Sequence, residues 1–129
     1  MIDIYDPNFK IDELKEINGK ELGKLIREYP EIAPMLPKGL KVEGELDLCG
    51  CSSLESLPEG LKVEGGLYLN RCTSLRFLPE GLKVEGYLDL EGCSSLKFLP
   101  KGLKVGWNLW LKGCPAKVPP DAQIGGEIH

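Results

Sequence analysis

Five cysteines and a single histidine are the side chains of this sequence best suited to chemistry. Thiolates and imidazole bind zinc, and paired thiols close disulfides, so their spacing decides what they can do. Cys51, Cys72, Cys93 and Cys114 fall 21 residues apart, and only Cys49 lies off the series. A Cys49-x-Cys51 metal site lacks a second ligand pair nearby, and His129 stands at the far end. Equivalent positions make a ladder whose rungs point the same way. The cysteines are therefore expected to be small buried hydrophobes in a reducing compartment, with no metal and no cofactor. No Ser/His/Asp set, phosphate loop or dinucleotide motif is present, and the carboxylates fall in solvent-facing ladders, so no enzyme is expected.

The cysteine interval belongs to the whole sequence. Leu36-Pro37, Leu57-Pro58, Leu78-Pro79 and Leu99-Pro100 are also 21 residues apart, within a unit Leu-Pro-x-Gly-Leu-Lys-Val-x-x-x-Leu-x-Leu-x-x-Cys-x-x-Leu-x-x. A period in the 20s is the signature of a stacked repeat. The fold expected is an α/β solenoid, with residues 1–35 as an N-terminal helical cap and 36–129 as four repeats and a partial fifth. Leu46-Asp47-Leu48, Leu67-Tyr68-Leu69, Leu88-Asp89-Leu90 and Leu109-Trp110-Leu111 alternate with period two, which predicts short parallel strands with leucines inward. Gly44, Gly65 and Gly86 precede the strands, where a turn conformation is expected. Leu-Pro-x-Gly-Leu-Lys-Val returns the chain along the other side, extended or 3₁₀-like because of its proline. The inward set of one repeat is Leu40, Val42, Leu46, Leu48, Cys51, Leu54 and Leu57.

Residues 1–35 do not repeat. Asp6-Pro7 predicts a helix start, with Ile11, Leu14 and Ile17 on one face. Asn18 and Glu21 resemble a capping box that opens a second helix, whose Leu22, Leu25, Ile26 and Tyr29 follow i, i+3, i+4, i+7 until Pro30 stops it. A stack exposes its core at both ends, so this segment is expected to act as a lid. At the other end Cys114-Pro115-Ala116-Lys117-Val118-Pro119 is two residues shorter than its predecessor. Ala122 to Ile128 nonetheless matches Leu103 to Leu109, so a fifth strand begins there. An open strand edge invites pairing, which raises a homodimer through this end.

The Leu-x-Leu-x-x-Cys strand followed by Leu-x-x-Leu-Pro resembles leucine-rich repeat proteins, with Cys where those repeats carry Asn or Cys. The Leu-Pro ending is similar to repeats of bacterial and phage proteins, including the recognition domains of bacterial effector ubiquitin ligases. The resemblance covers residues 36 to 128. It implies a concave parallel sheet whose outward residues contact a partner, and for the ligases a separate catalytic domain that this sequence does not contain. Leu40 and Leu46 are six residues apart. The common repeat places the corresponding leucines three apart, so the segment before each strand is longer here.

Function is then expected where the copies disagree. One outward row holds Asp47, Tyr68, Asp89 and Trp110. The row before it holds Glu45, Gly66, Tyr87 and Asn108, and the row after it Cys49, Asn70, Glu91 and Lys112. Tyr68, Tyr87 and Trp110 are expected to form an aromatic patch bordered by Asp47, Asp89 and Glu91, with Asn70, Asn108 and Lys112 beside it. Aromatics anchor interfaces and carboxylates favour a basic protein partner. The alternatives are rings that only stabilise the sheet, a structural or self-associating unit, or the recognition part of a larger effector. Trp107 is expected to pack over the last repeat.

Charge and length set the remaining bounds. A net charge of -4 over 129 residues offers no basic footprint for nucleic acid. No apolar run reaches the roughly 20 residues of a membrane span, and Met1 to Asp6 lacks the features of a signal peptide. The expected location is the cytoplasm, unless a secretion system reading another signal exports the protein.

Overall fold

Each repeat contains two short extended stretches, and in the computed structural model, which describes residues 3 and 5–129, both become strands. The Leu-x-Leu motifs form β3 (Leu46–Asp47), β5 (Leu67–Tyr68), β7 (Leu88–Asp89) and β9 (Leu109–Trp110). The Lys-Val motifs form β2 (Lys41–Glu43), β4 (Lys62–Val63), β6 (Lys83–Val84), β8 (Lys104–Val105) and, in the fifth copy, β10 (Gln123–Ile124). Parallel pairing joins like to like, giving a four-stranded sheet β3-β5-β7-β9 and a six-stranded sheet that begins with β1 (Glu16–Asn18) and runs β2-β4-β6-β8-β10. The return segment is extended, as its proline implies, and it also pairs.

Register follows the 21-residue period: Val42 lies opposite Val63, and Leu46 opposite Leu67. Leu40, Val42, Leu46, Leu48, Leu54 and Leu57 of one repeat are buried with their equivalents in a single core, while Cys51 is half-buried at its edge. The shortened fourth repeat keeps the pairing. Leu88 N donates to Asn108 O, 20 residues on, whereas Leu109 N donates to Glu127 O, 18 residues on. The two missing residues are absorbed in the Cys114–Pro119 turn, where Ala116 is buried and Lys117 bridges Phe98.

The amino-terminal segment departs from expectation. Asp6 Oδ1 accepts from Asn8 N at 2.9 Å, yet no α-helix follows: Ile11–Glu13 is one 3₁₀ turn. Ile17 lies in β1, opposite Val42, and not on a helix. Its position at the edge of the six-stranded sheet explains the change, since pairing satisfies backbone groups while burying Ile17 on the core. The reading of the terminus as free of a signal peptide rests partly on Met1, Ile2 and Ile4, which lie outside the described residues. The second helix is as expected. In α1 (Gly19–Glu28), Asn18 Oδ1 accepts from Lys20 N at 2.9 Å and Glu21 N at 3.4 Å, and Leu22, Leu25 and Ile26 are buried. Gly19 and Gly23, one turn apart, let α1 lie against the strand β3: a Cβ on Gly23 would stand 3.2 Å from Asp47 O, and one on Gly19 would run into the Glu45 carbonyl.

The glycines before the strands are there for two reasons. Gly44 has φ +77°, the turn expected. Gly65 and Gly86 do not; a Cβ on Gly65 would lie 2.9 Å from both C and O of Gly44, and one on Gly86 would lie 2.7 Å from Gly66 N. Adjacent coils touch backbone to backbone there, and only hydrogen fits. Gly65→Ala is accordingly expected to destabilise the protein by about 1–3 kcal/mol, read as a lower denaturation midpoint in urea.

Candidate functional site

Outward residues of the four-stranded sheet inherit the register of the leucines between them. Tyr68 lies opposite Asp47 and Asp89, and Asp89 opposite Trp110, so the expected row is formed. The row continues further than the sequence reading took it. Backbone bonds from Leu111 N to His129 O and from His129 N to Leu109 O place His129 next to Trp110, and the two rings stack at 4.2 Å and 15°. In-phase alignment of Ile124–Ile128 with Val105–Leu109 carried the signal, because His129 then follows where Trp110 stands.

The aromatic side chains share this face but do not form one cluster. Tyr68 is half-buried and folds over Gly66, where a Cβ would come within 2.8 Å of its Oη. Burial, then the charge of Glu45, raises its phenol pKa above the ordinary value. Tyr87 turns instead to Trp107, with ring centroids 5.6 Å apart and planes at 48°. Trp107 therefore packs sideways on the preceding repeat and stays 58% exposed, against 37% for Tyr87. Among the described residues no ring pair links Tyr68, Tyr87 and Trp110 to one another.

Much of the polar border is engaged internally. Asp47 Oδ1 accepts from Cys49 N at 2.9 Å and lies 3.4 Å from Arg27 Nη2, while Arg27 also donates to the Cys49 and Asp47 carbonyls at 3.1 and 3.2 Å. Arg27 thus ties α1 to the first strand of the sheet. Asp89 Oδ1 accepts from Glu91 N at 3.0 Å and braces a turn, and Asn108 Oδ1 accepts from Glu127 N at 2.9 Å, joining two coils. Asn70 Nδ2 donates to Cys49 Sγ at 2.9 Å. Glu91 is half-buried at the margin of the face, and Lys112 is exposed there.

The two buried rungs of the cysteine ladder are bound to the backbone. Cys72 Sγ donates to Leu48 O at 3.1 Å and Cys93 Sγ to Leu69 O at 3.0 Å, and all five cysteines are free thiols. Cys49 sits elsewhere, beside Arg71, whose φ of +62° occupies the place of Gly50, Gly92 and Gly113 in the other coils. Two further side chains escaped the sequence reading. Phe77 and Phe98, 21 residues apart beside buried leucines, are each 69% exposed; the signal was a large apolar residue where Ser56 stands in the first copy.

Compared with protein-family models, curated proteins and solved structures, the chain matches none of them. Among the described residues no helix is long and apolar enough to cross a membrane.

Burial pushes the Cys72 thiol up to about 12 and the Cys93 thiol up to about 11, from an ordinary 9.0. The unfolded chain releases these protons first, so their contribution is intact below about pH 9 and is lost as pH rises toward the folded values. The melting temperature is expected to fall over that interval, and to fall less in a Cys72→Ala, Cys93→Ala variant.

Proposed function

We propose that this repeat stack is a protein-binding module whose contact surface is the outward face of the four-stranded sheet. The observation that carries this reading is the Tyr87–Trp107 pair, two large rings in contact and substantially open to solvent. Such area, held on a scaffold already ordered, is what interface anchors consist of. Tyr68, Trp110 and His129 extend it along the sheet. Glu91, Glu45 and the unshared oxygen of Asp89 leave the face acidic, which favours a basic partner. The pattern of variation supports the same reading, because Leu, Val and Cys recur in every coil while outward positions differ. If the chain is the recognition part of a larger effector, this is the face that would hold the target.

Affinity capture from a lysate of the source cell, with variants as controls, tests the proposal. Tyr87→Ala with Trp107→Ala, and separately Tyr68→Ala with Trp110→Ala, are expected to weaken capture at least about tenfold without lowering the melting temperature. Undiminished capture by both variants would remove the sheet face from consideration.

A second reading, self-association, has its own observation. Ile128 is 51% exposed, and the half-buried Ile124 lies in β10, the last strand of its sheet among the described residues. On that reading sedimentation equilibrium gives a dimer for the parent chain and a monomer for Ile128→Lys.

A further inference from the structure

Outside both sheets the stack carries an unexplained apolar pair. Phe77 and Phe98 occupy the same place in successive repeats, and each exposes 69% of its surface. Exposed phenylalanine is costly for a soluble surface, and two in register form a ridge rather than a scatter.

Clefts flank the ridge on both sides, and they differ in charge. One, about 360 Å³ in volume, is lined by both rings with Arg76, Lys97, Ser94 and Ser95. Among the described residues Arg76 and Lys97 enter no ion pair, and neither side chain makes a hydrogen bond. The other cleft, about 390 Å³, has the two rings over Leu78, Pro79 and Pro100, with Glu59 and Glu80 at its margin. Glu59 is bound to Lys38 at 3.3 Å, whereas Glu80 enters no ion pair among the described residues.

We infer that the Phe77–Phe98 ridge is a second docking site, separate from the sheet face, for a peptide segment that places a carboxylate beside a bulky apolar side chain. The apolar side chain lies across the phenyl rings and into the proline-floored cleft. The carboxylate faces Arg76 and Lys97, neither of which enters an ion pair among the described residues. Charge complementarity selects this occupant. An anionic bilayer would meet the same cations, but Glu59 and Glu80 sit against the apolar surface and would repel it. A recessed floor also suits a side chain better than a lipid interface.

Selection from a random-peptide display library on the full chain, with counter-selection on a Phe77→Ser, Phe98→Ser variant, tests the inference. The peptides retained are expected to be enriched in Asp or Glu adjacent to Leu, Ile, Phe or Trp. Their binding, followed by fluorescence anisotropy, should weaken at least about tenfold with Arg76→Glu and Lys97→Glu together, and strengthen with Glu80→Gln. All five substituted side chains are exposed, and a circular-dichroism melt confirms that each variant folds. Retained peptides without acidic enrichment, no retained peptides, or affinity unchanged by the charge reversal would overturn it. Co-sedimentation with vesicles of phosphatidylserine and phosphatidylcholine, lost in the phenylalanine variant, would overturn it in favour of a membrane.

Discussion

Backbone pairing between successive coils is the constraint on which everything else in this protein depends. Leu46 N reaches Gly66 O, Leu67 N reaches Tyr87 O, and Leu88 N reaches Asn108 O, each 20 residues along. Strands bonded this way lie about 4.8 Å apart, so every coil must present the same backbone shape to the next. That requirement explains why glycine stands where coils meet at Gly65 and Gly86. It also explains why the fourth repeat drops two residues in a turn and not in a strand: a deletion within a strand would rotate its leucines out of the core.

The same constraint separates the scaffold from its surfaces. Inward positions face identical neighbours above and below, so Leu67 between Leu46 and Leu88 has one good solution repeated along the stack. Outward positions are bound only to keep their backbone in register. Their side chains differ from coil to coil, and two unlike surfaces result. The sheet face is aromatic and acidic, and the segments outside the sheets carry phenylalanines between a basic and an acidic margin. A chain with a net charge of -4 thus still sets Arg76 and Lys97 together beside one cleft.

Closing the first coil takes more than a helix. β1 pairs with β2 as the first strand of the six-stranded sheet, and α1 lies against β3 through Gly19 and Gly23. Arg27 then donates to the Asp47 and Cys49 carbonyls at that edge. Pairing by β1, packing by α1 and side-chain donors from Arg27 answer three different needs of one exposed end.

The sequence by itself determined the period, the inward leucines, the outward rows, the second helix and its Asn18 cap. Each of these depends on residue type and spacing along the chain, which local sterics and hydrophobicity translate directly. Only the tertiary structure decided the rest. Ile17 reads equally well on a helix face, and it became a strand residue because β2 offered an unpaired edge. Tyr87 chose Trp107, and Tyr68 folded onto Gly66. Those outcomes are rotamer choices among neighbours brought together from different coils, and no spacing in the sequence specifies them. The cysteines show both halves of the lesson: the interval marked four of them as a ladder and set Cys49 apart, but only the packing showed which sulfurs donate to buried carbonyls and that Cys49 lies beside Arg71.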